Sequence, residues 1–185
     1  MSEMKKRISR SRSCRAPQRK DPAAQYRGAL NKALGARFED RIADSLLFYE
    51  RSGEASVEKT PEPMRPTKNL GGGKFIAYYE KPAQPDYKGV IRGGRAVAFE
   101  AKYTTTGRME QDRITEPQAE RLDKYLALGA YAFVLAGFGD DAVYRIPWSI
   151  WKAMKEIVGR KYVTPDDLEE YRLHIGPGRI ILIFD

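Results

Sequence analysis

The segment from Ala130 to Phe138 limits the folds open to this chain more than any other, because it is apolar almost throughout. An apolar run of this length between two glycines, here Gly129 and Gly139, is typical of a strand buried inside a sheet. The sequence also predicts a strand from Ala142 to Ile146 and a closing strand from Arg179 to Phe184, with helices between them. The chain is therefore expected to have an α/β fold.

A long amphipathic helix is predicted before Ser52. Its apolar residues recur at intervals of three and four and form a single stripe: Leu34, Phe38, Ile42, Leu46 and Tyr49. Glu39 lies at the edge of this stripe, where its carboxylate either faces solvent or points into a cleft.

The clearest hairpin runs from Asp86 to Tyr103. Its turn is Arg92-Gly93-Gly94, because glycine adopts the positive φ that a tight connection needs. Opposed residues of an antiparallel pair share a face, and a three-residue loop places Asp86 opposite Glu100. A two-residue Gly93-Gly94 loop would instead send Asp86 to the other face of the sheet. A site that joins Asp86 to Glu100 therefore requires the three-residue loop or a bulge.

Glu100 and Lys102 are two residues apart on the second strand of this hairpin, so their side chains share a face. The strand is otherwise apolar, and charges in a partly buried setting are expected to be paired or to hold a metal. Together with Asp86 they offer two carboxylates and an ammonium, a set that suits Mg²⁺ or Mn²⁺. Such an ion activates water, and a lysine can stabilise the charge that develops on a phosphoryl group. The alternative is a hairpin with incidental charges.

The net charge of +8 is concentrated in residues 1–20, which contain one acid, Glu3. Their basic residues are Lys5, Lys6, Arg7, Arg10, Arg12, Arg15, Arg19 and Lys20. A segment with so few apolar residues cannot fold alone, and we expect residues 1–24 to be a disordered arm. Such an arm can neutralise phosphates and attract nucleic acid, or it can be a solubilising or targeting tail.

Several classes of protein are excluded by composition. A single cysteine, Cys14, and a single histidine, His174, rule out an intrachain disulfide and a zinc site built from several cysteines or histidines. No apolar run approaches the roughly 20 residues needed to span a bilayer. The first twenty residues have no apolar core of a secretory signal. We therefore expect a cytoplasmic protein that does not bind membranes.

The stretch from Pro61 to Pro82 is expected to be an insertion that protrudes from the domain. It contains several prolines, the run Gly71-Gly72-Gly73 and four basic residues: Arg65, Lys68, Lys74 and Lys81. Long connections of this kind are uncommon in a compact domain and are often functional when they occur. The alternative is a disordered surface loop.

Pro85-Asp86 followed by Glu100-Ala101-Lys102 matches the PD-(D/E)XK nuclease signature, with Glu39 as the outlying acid of the preceding helix. A longer set of segments resembles the RecU-type Holliday junction resolvases. These segments are Gly35-Ala36-Arg37-Phe38-Glu39, Asp86-Tyr87-Lys88-Gly89-Val90, Phe99-Glu100-Ala101-Lys102 and Pro117-Gln118. The resemblance covers roughly Gly35 to Trp148.

This resemblance implies a restriction-endonuclease-like fold, with a mixed sheet flanked by helices and a protruding stalk. The nuclease domain would span residues 25–185 and the stalk residues 61–82. The family's Mg²⁺ ligands match Asp86, Glu100 and Gln118, and its catalytic lysine matches Lys102. Glu39 would join Asp86, Glu100 and Lys102 among the catalytic residues. Gln84 replaces a threonine that assists the metal in the family, and its carbonyl oxygen could serve the same purpose.

The activity implied by the resemblance is Mg²⁺-dependent cleavage of four-way DNA junctions in recombination and repair, with Mn²⁺ as a possible substitute. The enzyme would be a homodimer whose paired stalks enter the junction. Contacts with DNA are expected from Arg37, Arg65, Lys68 and Lys74. Two alternatives stay open: a nuclease of the same fold with another DNA substrate, and a non-catalytic DNA-binding protein.

Overall fold

The computed structural model describes residues 21–61, 63–79 and 84–185. The strands are β1 Ala55–Lys59, β2 Met64–Gly71, β3 Lys74–Tyr79, β4 Tyr87–Ile91, β5 Arg95–Thr104, β6 Met109–Glu110, β7 Tyr131–Phe138, β8 Ala142–Pro147 and β9 Tyr162–Val163. The helices are α1 Pro22–Arg51, α2 Glu116–Ala127, α3 Trp148–Lys152 and α4 Met154–Val158. Residues 1–20 of the predicted arm, and residues 62 and 80–82 of the predicted insertion, lie outside the described residues.

Helix α1 begins at Pro22, so residues 22–24, which were expected to belong to the arm, are helical. The Asp21 side chain caps this end by accepting a hydrogen bond of 3.0 Å from the Ala23 amide. The predicted apolar stripe is confirmed, since Phe38, Ile42, Leu46 and Tyr49 are all buried. The stripe packs against one face of the central sheet.

The central sheet has the strand order β1-β4-β5-β7-β8. It is mixed, because β5 and β7 run parallel while the other neighbouring pairs are antiparallel. The predicted buried strand is confirmed as β7, in which every residue from Ala132 to Phe138 is buried. Helix α1 covers one face, and α2, α3 and α4 cover the other. The predicted architecture of a mixed sheet flanked by helices is therefore confirmed.

The prediction of a closing strand from Arg179 to Phe184 is wrong, because this segment makes a single isolated bridge instead of joining the sheet. Side chains of α1 bind its backbone amides. The Ile181 amide donates to Ser45 Oγ at 2.8 Å, and the Phe184 amide donates to the Tyr49 hydroxyl at 3.2 Å. These bonds satisfy donors that would otherwise need a neighbouring strand.

The insertion forms an antiparallel hairpin of β2 and β3, separate from the central sheet. Residues 64–78 are all exposed, including the large apolar side chains of Leu70, Phe75, Ile76 and Tyr78. A separate, exposed hairpin therefore occupies the stretch in which the sequence predicted an insertion. Across the described ranges, no helix is long and apolar enough to cross a membrane.

Strands β1 and β4 approach each other closely at Gly89, which pairs with Val57. A β-carbon at Gly89 would lie 2.0 Å from the Ser56 carbonyl oxygen and 2.5 Å from the Val57 Cα. Both atoms belong to the backbone, so the two strands would have to separate. Glycine at this position keeps β1 in register with β4.

We predict that Gly89→Ala lowers the free energy of unfolding by about 2 kcal/mol, because relieving the clash requires a backbone shift. Urea denaturation measures the change. Gly107→Ala is the matched control, since a β-carbon at Gly107 would have no atom within 4 Å. Equal stability of the Gly89 and Gly107 variants would show that β1 does not pack as closely as described.

Candidate active site

The turn between β4 and β5 sets the geometry of the site. Ile91 pairs with Arg95 and Tyr87 with Phe99, which confirms the predicted three-residue loop. Gly93 and Gly94 both have positive φ angles, of 89° and 81°. Asp86 directly precedes the Tyr87–Phe99 pair on one strand, and Glu100 directly follows it on the other. The predicted alignment of the two carboxylates is therefore present.

Lys102 connects the two carboxylates. Its Nζ donates to Glu100 Oε2 at 3.0 Å and to Asp86 Oδ2 at 3.3 Å. The Ala101 amide also donates to Asp86 Oδ2, at 3.1 Å, which fixes the Asp86 side chain against β5. The sequence prediction that Asp86, Glu100 and Lys102 form one cluster agrees with these contacts.

Gln118 reaches the same cluster from the first turn of α2. Its Nε2 donates to Glu100 Oε2 at 2.6 Å. Its Oε1 faces away and accepts hydrogen bonds from the Thr115 amide and hydroxyl, at 3.1 and 3.0 Å, as part of a capping box. Ligation of a cation through Oε1 would require a half-turn of the amide and loss of these two cap bonds.

Glu100 is an unusual carboxylate because its side chain is fully buried. Burial, followed by the nearby charge of Asp86, raises the pKa of Glu100 to about 8, and the charge of Lys102 only partly opposes this. Burial would lower the pKa of Lys102, but the charges of Asp86 and Glu100 outweigh it and raise that pKa. Burial thus favours the protonated form of Glu100, whereas the neighbouring carboxylates favour the charged form of Lys102.

The donor set fits a hard divalent cation. Glu100 Oε1 is buried and has no hydrogen-bond partner, and the two described hydrogen bonds to the Asp86 carboxylate both end on Oδ2. One oxygen of each carboxylate is thus left for another ligand. Within the described ranges no three His, Cys, Asp or Glu side chains converge on one point. Mg²⁺ suits such a site, since it commonly uses one or two carboxylates and retains several waters.

Two further residues predicted for the site lie at its border. Gln84 Oε1 accepts a hydrogen bond of 2.7 Å from Lys88, so its carbonyl is already engaged. Glu39 forms an ion pair of 2.7 Å with Lys59, and both side chains are about half exposed. Neither is hydrogen-bonded to Asp86, Glu100 or Lys102 among the described contacts. Their roles at the metal and in catalysis stay predictions.

The residues predicted to bind DNA fall into two places. Arg37 lines a cavity of about 270 Å³ beside Tyr103, near the carboxyl end of β5. Arg65, Lys68 and Lys74 are exposed on the separate β2–β3 hairpin. Their placement agrees with contact to an extended ligand.

Sequence reasoning missed Thr60, the residue after β1. Its amide donates to the Asp86 carbonyl oxygen at 2.8 Å. No motif points to this threonine, because its position depends on how β1 pairs with a strand far away in the chain. The only local signal is its place at the end of a strand-like segment, before Pro61.

Comparison with known proteins identifies relatives of this chain. A sequence model of the family described as "RecU: Recombination protein U" matches residues 33–183. The Holliday junction resolvase RecU of Listeria welshimeri is 27% identical over 166 residues, covering 83% of this chain and 79% of that protein. The Holliday junction resolvase RecU of Limosilactobacillus reuteri is 28% identical over 154 residues, covering 76% and 74%.

A solved structure was also found, that of Hjc from Archaeoglobus fulgidus, a Holliday junction resolvase from an archaeal hyperthermophile. Its sequence is 18% identical to this chain. The match covers 62% of this chain and 78% of the Hjc chain, with a TM-score of 0.40.

The raised pKa of Glu100 predicts how stability depends on pH in the absence of divalent cations. A carboxyl group whose pKa is higher in the folded state binds its proton more tightly there. Its contribution to stability is full below the ordinary pKa of 4.5 and is lost as the pH rises through about 8. Between these two pH values, the free energy of unfolding falls by up to about 1 kcal/mol per pH unit.

We therefore expect Glu100→Gln to flatten the decline in the free energy of unfolding between pH 5 and pH 8, an interval of about three units. Urea denaturation at several pH values measures how the free energy of unfolding changes with pH in each variant. Glu156→Gln, an exposed acid on α4, should retain the wild-type slope. Parallel curves for wild type and Glu100→Gln would contradict the raised pKa.

Proposed function

We propose that this chain, which belongs to the recombination protein U (RecU) family, is a metal-dependent endonuclease that resolves four-way DNA junctions in recombination and repair. The observation that carries the chemistry is the cluster of Asp86, Glu100 and Lys102, in which one buried carboxylate oxygen lacks a partner. The choice of substrate is supported by the relatives that are named Holliday junction resolvases.

Asp86 and Glu100 would hold a Mg²⁺ ion. Gln118 and Gln84 would become further oxygen donors only after Gln118 Oε1 leaves Thr115 and Gln84 Oε1 leaves Lys88. Mn²⁺ is an alternative, because it accepts the same oxygen ligands. When bound, the ion lowers the pKa of a water molecule and neutralises charge on the phosphoryl oxygens. Glu100 would have to be ionised to hold the cation, since a coordinating carboxylate carries a negative charge.

Lys102 keeps a positive charge at the point where the scissile phosphate gains negative charge. Its raised pKa ensures that it is protonated at neutral pH. Its two carboxylate contacts hold the ammonium in place, so little reorganisation is needed during the reaction. Preorganised charge of this kind is usually the largest single contribution to catalysis.

The β2–β3 hairpin supplies the preference for branched DNA. Arg65, Lys68 and Lys74 provide positive charge along an exposed element that also carries large apolar side chains such as Phe75 and Tyr78. The open centre of a four-way junction has room for such an element, whereas a linear duplex does not. Arg37 and the basic residues of the arm add contacts with phosphates.

The active form is a homodimer. Resolution of a junction requires cuts in two strands, and each chain contributes one cluster of Asp86, Glu100 and Lys102. A two-fold symmetric dimer, the commonest form of oligomer, places two equal sites on a two-fold symmetric substrate. The named relatives are bacterial proteins, and bacterial chromosomal DNA lies in the cytoplasm, so we place the enzyme there.

The direct test is cleavage of a synthetic mobile four-way junction beside a linear duplex of the same sequence, with Mg²⁺ or with a chelator. We expect Mg²⁺-dependent cuts in the junction and little cutting of the duplex. Equal cutting of both substrates would favour a nuclease with another DNA substrate. Binding without cutting would favour a non-catalytic DNA-binding protein.

We predict that Glu100→Gln abolishes cleavage and leaves junction affinity nearly unchanged, because affinity depends mainly on basic groups. Lys102→Ala should reduce the single-turnover rate about 100-fold or more, in line with the loss of one preorganised charge. Single-turnover cleavage and junction binding in Ca²⁺ measure the two effects. Lys155→Ala and Glu156→Gln, exposed on α4, are matched controls. A parallel loss of binding and cleavage in Glu100→Gln would remove Glu100 from the catalytic set.

We also predict that replacing residues 64–79 by a short Gly/Ser linker removes the preference for junctions over duplex. Thermal stability should change little, because surface loops tolerate large changes in length. Binding of both DNAs at fixed salt concentration measures the preference. A variant with Arg65, Lys68 and Lys74 all changed to Gln separates charge from shape. A preference that survives the deletion would contradict the stalk proposal.

A further inference from the structure

Thr60 lies in the same row as the two carboxylates, that is, the line of opposed residues Thr60, Asp86 and Glu100 that runs across neighbouring strands. Strand β1 pairs with β4 through Lys59 and Tyr87, and the hydrogen bond from the Thr60 amide to the Asp86 carbonyl continues this register by one residue. Thr60 therefore lies opposite Asp86. Because opposed residues of an antiparallel pair share a face, the Thr60 side chain projects to the side of the sheet that carries Asp86 and Glu100.

The Thr60 hydroxyl is buried and has no hydrogen-bond partner within the described part of the chain. Buried hydroxyls nearly always have a partner, so an unpaired one next to a cluster of charges suggests a site for a ligand. Glu100 Oε1 has the same property in the same row. Two unpaired buried oxygens thus flank Asp86, one from each neighbouring strand.

A ligand that contacts both Thr60 Oγ1 and Glu100 Oε1 must form several hydrogen bonds and be attracted to carboxylates. A hydrated divalent cation fits this description, because its waters can exchange hydrogen bonds with a hydroxyl while the ion binds the carboxylates. Gln84 is the other polar side chain near Asp86 along the chain, but its carbonyl accepts a hydrogen bond from Lys88. Thr60 has no such competing contact among the described residues.

We propose that Thr60 is a positioning residue for the metal, a role that rests on the proposed function. Its hydroxyl hydrogen-bonds to a water in the coordination shell of the divalent cation held by Asp86 and Glu100. It thereby orients the hydrated ion from the β1 side of the sheet, opposite the side occupied by Lys102 and Gln118. Mutation of a residue that hydrogen-bonds to a metal's ligands commonly lowers metal affinity or activity by about 10- to 100-fold.

The test uses the whole protein without DNA, titrated with Mg²⁺ and separately with Mn²⁺, and reads the rise in melting temperature. Thr60→Val removes the hydroxyl at nearly constant volume, and Thr60→Ser retains it. Ser56→Ala is the matched control, because Ser56 lies four residues earlier, has an exposed side chain and sits on the same face of the same strand. Melting temperatures without metal show whether each variant is folded.

We expect the metal concentration at half-maximal stabilisation to rise about 10-fold in Thr60→Val. Thr60→Ser and Ser56→Ala should stay within about twofold of wild type. An unchanged midpoint in Thr60→Val would overturn the inference, as would a loss in Thr60→Ser equal to that in Thr60→Val. If Thr60→Val does not fold, Thr60→Ala takes its place as the variant without a hydroxyl. The same 10-fold rise is then expected in Thr60→Ala, and Thr60→Ser should again stay within about twofold of wild type.

Junction cleavage by the wild-type protein separates this inference from the proposed function. If wild type cleaves junctions with Mg²⁺ while Thr60→Val binds metal normally, only the role of Thr60 is wrong. If wild type binds metal but cleaves no DNA, the proposed function fails and the metal titration of the Thr60 variants still decides the inference.

Discussion

Lys102 lies between two carboxylates, 3.0 Å from Glu100 Oε2 and 3.3 Å from Asp86 Oδ2, in a site where the Glu100 side chain is fully buried. Burial of a carboxylate is costly unless its charge is compensated. One ammonium cannot neutralise two carboxylates, and burial raises the pKa of Glu100. A divalent cation held by Asp86 and Glu100 would remove this imbalance.

The surrounding fold keeps this cluster together. The three-residue turn after Ile91 places Asp86 opposite Glu100, and Gly89 lets β1 pair closely enough to bring Thr60 alongside. A slip of one residue between β4 and β5 would move Asp86 to the other face of the sheet and separate the carboxylates. Helix α2 then closes the cluster by placing Gln118 against Glu100.

Features that depend on local sequence could be predicted, and those that depend on distant pairing could not. The two-residue period of a strand placed Glu100 and Lys102 on one face. A site shared with Asp86 then required a three-residue loop or a bulge, and the structure has the three-residue loop. Thr60 was missed because no local pattern encodes the pairing of β1 with β4. The closing strand was wrongly predicted for a similar reason, since hydroxyl groups of α1 replace a strand neighbour for its amides.

The measurement that tests this account most directly is the number of protons released when Mg²⁺ binds at pH 7. Isothermal titration calorimetry in buffers of different ionisation enthalpy gives this number. We predict release of about one proton per ion in wild type, because burial raises the pKa of Glu100 and this carboxyl group must be ionised to hold the metal. Glu100→Gln should bind much more weakly and release no proton. Binding without proton release in wild type, or unchanged affinity in Glu100→Gln, would contradict the account.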